Sequence, residues 1–167
     1  MIMKSNLTLV LAATAGLLLP SVPAADKTPE KHRHEKIQAG PTGGRLITSV
    51  EPHVEFLITK ERKVELRYVD DDNKVVAPLE QVISVVLGDR AAPTRLTFTK
   101  DGDKLVSDKA VPAGNNHPTV VQIRQHPGAK PVTEKFNLNL DSCPTCKYLE
   151  YACVCDHEGA DGDAAKK

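Results

Sequence analysis

The chain has 167 residues, and its 22 Lys plus Arg balance 22 Asp plus Glu to a formal net charge of +0. Such neutrality excludes the basic surface that recruits nucleic acid or an anionic membrane. With no Trp, three Phe and three Tyr, aliphatic side chains must supply most of the core, so a covalent or metal staple is expected.

The N-terminus, MIMKSNLTLVLAATAGLLLPSVPAADK, places Lys4 before an uncharged apolar stretch from Leu7 to Leu19. Pro20 breaks that stretch, and Val22-Pro23-Ala24 puts small residues before a cleavage point. This pattern predicts a signal peptide over 1–24 and export, with a periplasm as the expected compartment. The apolar stretch is too short to span a hydrocarbon core of about 30 Å, and no later segment is expected to span a membrane. Met1 and Met3, the only two methionines, leave with the signal, which removes the thioether ligands that soft Cu(I) favours.

Residues 25–39, ADKTPEKHRHEKIQA, are polar and without apolar period, and read as a disordered arm. Between residues 40 and 140 the signal is alternation. Val54, Phe56 and Ile58 alternate with polar neighbours, as do Val64, Leu66 and Tyr68, then Ile83, Val85 and Leu87. Leu96 and Phe98, Leu105, Val121 and Ile123, and Phe136, Leu138 and Leu140 continue the pattern. Period-two runs rich in Val, Ile and Phe predict strands. Asp101-Gly102 marks a hairpin, while the Asp70–Asp72 triplet reads as a solvated turn, since it lacks the spaced oxygen ligands of a calcium loop. The expected fold is all-β, an Ig-like antiparallel β-sandwich over 40–140. A cysteine-rich extension (141–158) and a disordered tail (159–167) should follow.

Gly40-Pro41-Thr42-Gly43-Gly44 precedes strand-like sequence. It therefore predicts a tight turn and not a phosphate-binding loop, which needs a helix N-terminus after it. His53 and Glu55 are i and i+2 on one strand and share a face. An imidazole beside a carboxylate suits Zn²⁺, Ni²⁺ or Cu²⁺. His32 and His34 of the arm could fold back to complete such a site; the bland alternative is a pair of solvated polar residues. His117 and His126 each precede proline and read as loop residues without a role. No Gly-x-Ser-x-Gly, His-Glu-x-x-His or Gly-x-Gly-x-x-Gly motif is present, and the expectation is a protein that is not an enzyme.

All four cysteines, Cys143, Cys146, Cys153 and Cys155, fall in DSCPTCKYLEYACVCDHE, with His157 two residues on. A zinc ribbon separates two C-x2-C knuckles by roughly 15–20 residues, and this cluster is tighter. In an oxidising compartment an even count predicts two disulfides. A helical CKYLEYAC would hold Cys146 and Cys153 about 10 Å apart, too far to bridge. Of the three connectivities, 143–146 with 153–155 closes very small, strained rings and 143–155 with 146–153 needs a hairpin, so 143–153 with 146–155, which needs only a looped return, is narrowly favoured. Two alternatives remain: one ion held by Cys143, Cys146, Cys153, Cys155 or His157, and a redox pair. The redox role lacks the βαβ pattern of a thioredoxin-like fold.

GPTGGRLI, then PHVEFLI, then KVELRYVDDDNKVVAP together resemble the N-terminal β-sandwich module of periplasmic adaptor subunits of heavy-metal efflux pumps. They are also similar to small stand-alone exported bacterial proteins with a Gly-Gly opening and a His-x-Glu strand. The resemblance covers about residues 40–140. Members often carry His where this chain has Thr42. What the resemblance implies is an accessory role in metal handling or envelope physiology with no catalytic residues, so the expectation is an exported, non-enzymatic accessory protein of periplasmic heavy-metal handling, with Zn or Cu as the candidate ion and a metal-efflux or envelope protein as the candidate partner. Two other readings are a metal-free envelope binding module and a thiol–disulfide protein acting through the cysteines.

Overall fold

A computed structural model describes residues 37–155 of the chain. The signal and most of the arm, with His32 and His34, lie outside the described residues, as do His157 and the tail.

Among the described residues eleven strands follow in order: β1 (Gln38–Ala39), β2 (Arg45–Ile47), β3 (His53–Ile58), β4 (Lys63–Val69), β5 (Val75–Val76), β6 (Val82–Leu87), β7 (Thr94–Leu96), β8 (Phe98–Asp101), β9 (Lys104–Ala110), β10 (Asn116–Arg124) and β11 (Val132–Asn139). A 3-10 turn, Glu150–Ala152, comes last. One sheet runs β1-β2-β3-β4-β9-β8 with β5 beside β4, and the other runs β11-β10-β6-β7. All pairings are antiparallel. With β3, β4, β9 and β8 as strands A, B, E and D, and β11, β10, β6 and β7 as G, F, C and C′, this is the strand order of an Ig-like sandwich. The fold class read from the alternation is the fold observed.

The reason is the pleat. In β4 the buried set Val64, Leu66 and Tyr68 alternates with half-buried Lys63, Glu65 and Arg67. In β6 it is Ile83, Val85 and Leu87, and in β10 Thr119, Val121 and Ile123. These inner faces meet in one core with Val54, Phe56 and Leu138. Each large aliphatic side chain buried there contributes about 1.5–3 kcal/mol relative to exposure. Phe98, Leu105 and Phe136 pack only at its margin. The hairpin signal at Asp101-Gly102 is borne out: Asp101 pairs with Lys104 between β8 and β9, and Gly102 takes φ 64°.

Two expectations need correction. His117 is a buried residue of β10, opposite Leu138, and not a loop residue. The core does not end at residue 140 either: Tyr151 and Ala152 belong to it, so a boundary drawn where alternation stops cuts through packed side chains. The Phe56 ring stands edge-on to Phe136 at 5.3 Å and to Tyr151 at 6.2 Å. Among the described residues no helix is long and apolar enough to cross a membrane.

Candidate metal centre

Beyond β11 the chain doubles back on itself. The Leu140 amide donates to the Asn115 carbonyl at 2.7 Å, and Asn115 Nδ2 donates to Asp141 Oδ1 at 2.9 Å, which fixes the exit from the sandwich. Ser142 and Leu149 form an antiparallel bridge, the Cys143 amide donates to the Tyr148 carbonyl at 3.0 Å, and the Glu150 amide to the Asp141 carbonyl at 2.9 Å. Cys143-Pro144-Thr145-Cys146 therefore lies in a tight reversal. The 3-10 turn then carries Cys153 back beside it. No α-helix forms over Cys146–Cys153, because these hairpin bonds claim the backbone groups a helix would use.

The four sulfurs converge. All four Sγ atoms lie within 4.8 Å of one another. Cys143 and Cys153 are 3.3 Å apart, and Cys146 and Cys153 3.6 Å. No disulfide joins any two of them, since an S–S bond is about 2.05 Å. Cys153 lies nearly as close to Cys146 as to Cys143, so the geometry does not single out the expected pairing of 143 with 153 and 146 with 155. Four thiolates around one Zn²⁺ at about 2.3 Å would sit about 3.8 Å apart. The Cys143–Cys153 and Cys146–Cys153 separations are near that edge length and the rest lie within 4.8 Å, so the donor set suits a tetrahedral ion.

The surroundings favour thiolate at Cys143. The Thr145 hydroxyl lies between two sulfurs, 3.2 Å from Cys143 and 3.1 Å from Cys155. That hydroxyl, followed by the Thr145 and Cys146 amides, holds the Cys143 thiol down at about 5. The Tyr148 amide acts in the same sense on Cys146, yet burial and the neighbouring thiols leave it above the ordinary value. Burial raises Cys153, although the Cys155 amide donates to its sulfur at 3.4 Å. Amides aimed at sulfur offset the charge of a metal–thiolate centre and orient its ligands. Cys143 and Cys153 are buried while Cys146 and Cys155 are half-buried, so the centre has an inner and an outer side.

The other sequence-derived pair is separated by function. Glu55 is fully buried, and its Oε1 accepts the amides of Thr42 and Gly44, each at 2.9 Å. It clasps the glycine turn. A Cβ on Gly44 would collide with the Phe56 carbonyl oxygen, which accounts for glycine there. His53 makes other contacts: its Nδ1 lies 2.8 Å from the Val50 carbonyl, and the carboxylates near it belong to Glu51 and Asp71. His126 is exposed, with Nδ1 3.1 Å from the Pro127 carbonyl. Sequence reasoning missed Tyr151 as an anchor and Glu51 and Asp71 as neighbours of His53. Only the aromatic spacing in KYLEY hinted at the first.

No protein-family model, curated protein or solved structure matches this chain.

Proposed function

We propose that this chain is an exported, non-enzymatic accessory protein of metal handling, whose C-terminal four-cysteine centre binds one thiophilic divalent ion, Zn²⁺ first among them. The observation that carries the reading is the convergence of Cys143, Cys146, Cys153 and Cys155 within 4.8 Å. Four thiolates match a closed, soft coordination shell, and hard cations such as Mg²⁺ or Ca²⁺ prefer oxygen. Export and the metal-handling role rest on the N-terminal pattern and the three-motif resemblance; a metal-efflux or envelope protein is the partner they suggest. Binding at the centre links metal to folding, because the reversal it closes also delivers Tyr151 to the core.

One observation favours a second reading. Cys143 and Cys153 at 3.3 Å could be joined by a small movement in an oxidising compartment, leaving a structural disulfide centre. Cys153→Ser separates the two. It should lower Zn²⁺ affinity at least tenfold in a competition titration against a chromogenic chelator under reducing conditions. Unchanged affinity there would remove the metal reading.

A further inference from the structure

A second convergence of ligand groups lies at the far end of β3 from the cysteine segment. His53 opens that strand and Ile58, which bonds to Tyr151, closes it, a span of about 17 Å. Glu51, His53 and Asp71 each offer one ligand atom there, and these atoms lie within 4.8 Å of one another.

The imidazole is oriented from behind. Its Nδ1 lies 2.8 Å from the Val50 carbonyl oxygen. A carbonyl can only accept, so Nδ1 carries the proton and donates, and the lone pair of the neutral ring is on Nε2. Nε2 faces Asp71 Oδ1 at 3.6 Å, and Glu51 Oε2 lies 3.5 Å from Nδ1. An imidazole anchored through one N–H on a backbone carbonyl, with its other nitrogen turned outward, is the arrangement metal-binding histidines adopt.

Asp71 is also the carboxylate its turn leaves over. Asp70 Oδ1 accepts the amides of Asp72 and Lys74 at 3.0 and 2.8 Å, and Asp72 pairs with Lys74 at 3.4 Å. Among the described residues no Lys or Arg forms an ion pair with Glu51 or Asp71. The Asp71 carboxylate thus faces the acceptor nitrogen and the Glu51 carboxylate flanks the ring on its Nδ1 side, with no Lys or Arg paired to either among the described residues. His53 is only 19% exposed at its side chain, against 63% for Glu51 and 84% for Asp71. The nitrogen ligand is fixed, and the oxygens are free to close on an ion.

We propose that Glu51, His53 and Asp71 form a second metal site, which takes a borderline divalent cation such as Ni²⁺, Zn²⁺ or Cu²⁺. His53 Nε2 and the Asp71 carboxylate bind directly, Glu51 adds a third ligand, and water fills the remaining positions. One nitrogen and two oxygens are harder than four sulfurs, so this site selects against the soft ions the cysteine centre prefers. The two centres can hold different metals at once. Glu55, the carboxylate the strand pattern puts beside His53, takes no part.

The test is a calorimetric titration of the full chain with Ni²⁺ after the cysteine centre has been filled with Zn²⁺. The expected result is one additional Ni²⁺ per chain, with affinity at least tenfold weaker in Asp71→Asn and in His53→Gln and unchanged in His126→Gln. Asp71→Asn alters an exposed turn without changing its shape, and an unchanged melting curve for the metal-free variant confirms that folding is intact. No Ni²⁺ uptake would mean that His53 merely forms an ion pair with the two carboxylates, and would overturn the site. Uptake undiminished in both variants would overturn it as well. Either outcome is independent of the cysteine centre, whose occupancy is read by thiol count.

Discussion

The phenol oxygen of Tyr151 accepts the backbone amide of Ile58 at 3.0 Å, across 93 residues of sequence. Ile58 is the last residue of β3, so this bond ties the cysteine segment to the sandwich where the Thr59–Lys63 turn begins. The Tyr151 carbonyl lies 3.5 Å from Arg45 Nη1, and the Arg45 guanidinium stacks over Phe136 at 4.8 Å. Tyr151→Phe keeps the ring and strands the Ile58 amide. It should cost about 1–3 kcal/mol, read as a lower urea midpoint with unchanged slope. A chain ending at Leu140 should lose more, since it also uncovers Phe56.

The clasp of Glu55 on the glycine turn gives a second expectation. Glu55→Ala leaves two amides, on Thr42 and Gly44, without their acceptor. Its cost should exceed about 2 kcal/mol. Gly44→Ala forces a methyl against the backbone of Phe56, which cannot yield as a side chain would. A loss of about 1–3 kcal/mol follows. Urea unfolding of both variants checks the pair, and a Gly44→Ala protein as stable as the parent would show that the turn is not held as described.

Alkaline pH should release the same anchor. Burial, with the Glu55 carboxylate adding to it, pushes the Tyr151 phenol up to about 12 from its ordinary value of 10.0. The fold therefore favours the neutral phenol. This stabilisation is complete below the unfolded value near 10 and is lost as pH rises through about 12. Tyr68, buried with no hydrogen-bond partner for its hydroxyl among the described residues, is raised in the same direction. Phenolate absorbance should show ionisation of Tyr151 coinciding with loss of near-ultraviolet tyrosine dichroism, and Tyr151→Phe should remove one phenol from that late step.

How much of this was legible follows from the range of the forces involved. Val64-x-Leu66-x-Tyr68 announces a half-buried strand because the pleat acts on neighbours. The pairing of β4 with β9 joins Leu66 to Leu105, and nothing local states it. Glu55 shows the limit of alternation: the pattern puts it on the polar face beside His53, but a turn eleven residues upstream folds over that face and buries it. Asp71 read as one of three solvated carboxylates, because which member of the triplet caps the turn depends on backbone geometry. The cysteines were visible as a cluster. Their arrangement was not, since it depends on a reversal set by the Asp141–Glu150 and Cys143–Tyr148 hydrogen bonds and not by a helix.

The most direct measurement for the four-cysteine centre is metal content and thiol count on the same sample, taken from protein exported in its own host. Four thiols should appear once the protein is denatured with a chelator, with one equivalent of zinc or another thiophilic divalent ion released per chain. The ion should leave when Cys153 is replaced by Ser. A native-source protein that contains no such ion and yields no thiol until it is reduced would contradict the account, and would make the centre a pair of disulfides.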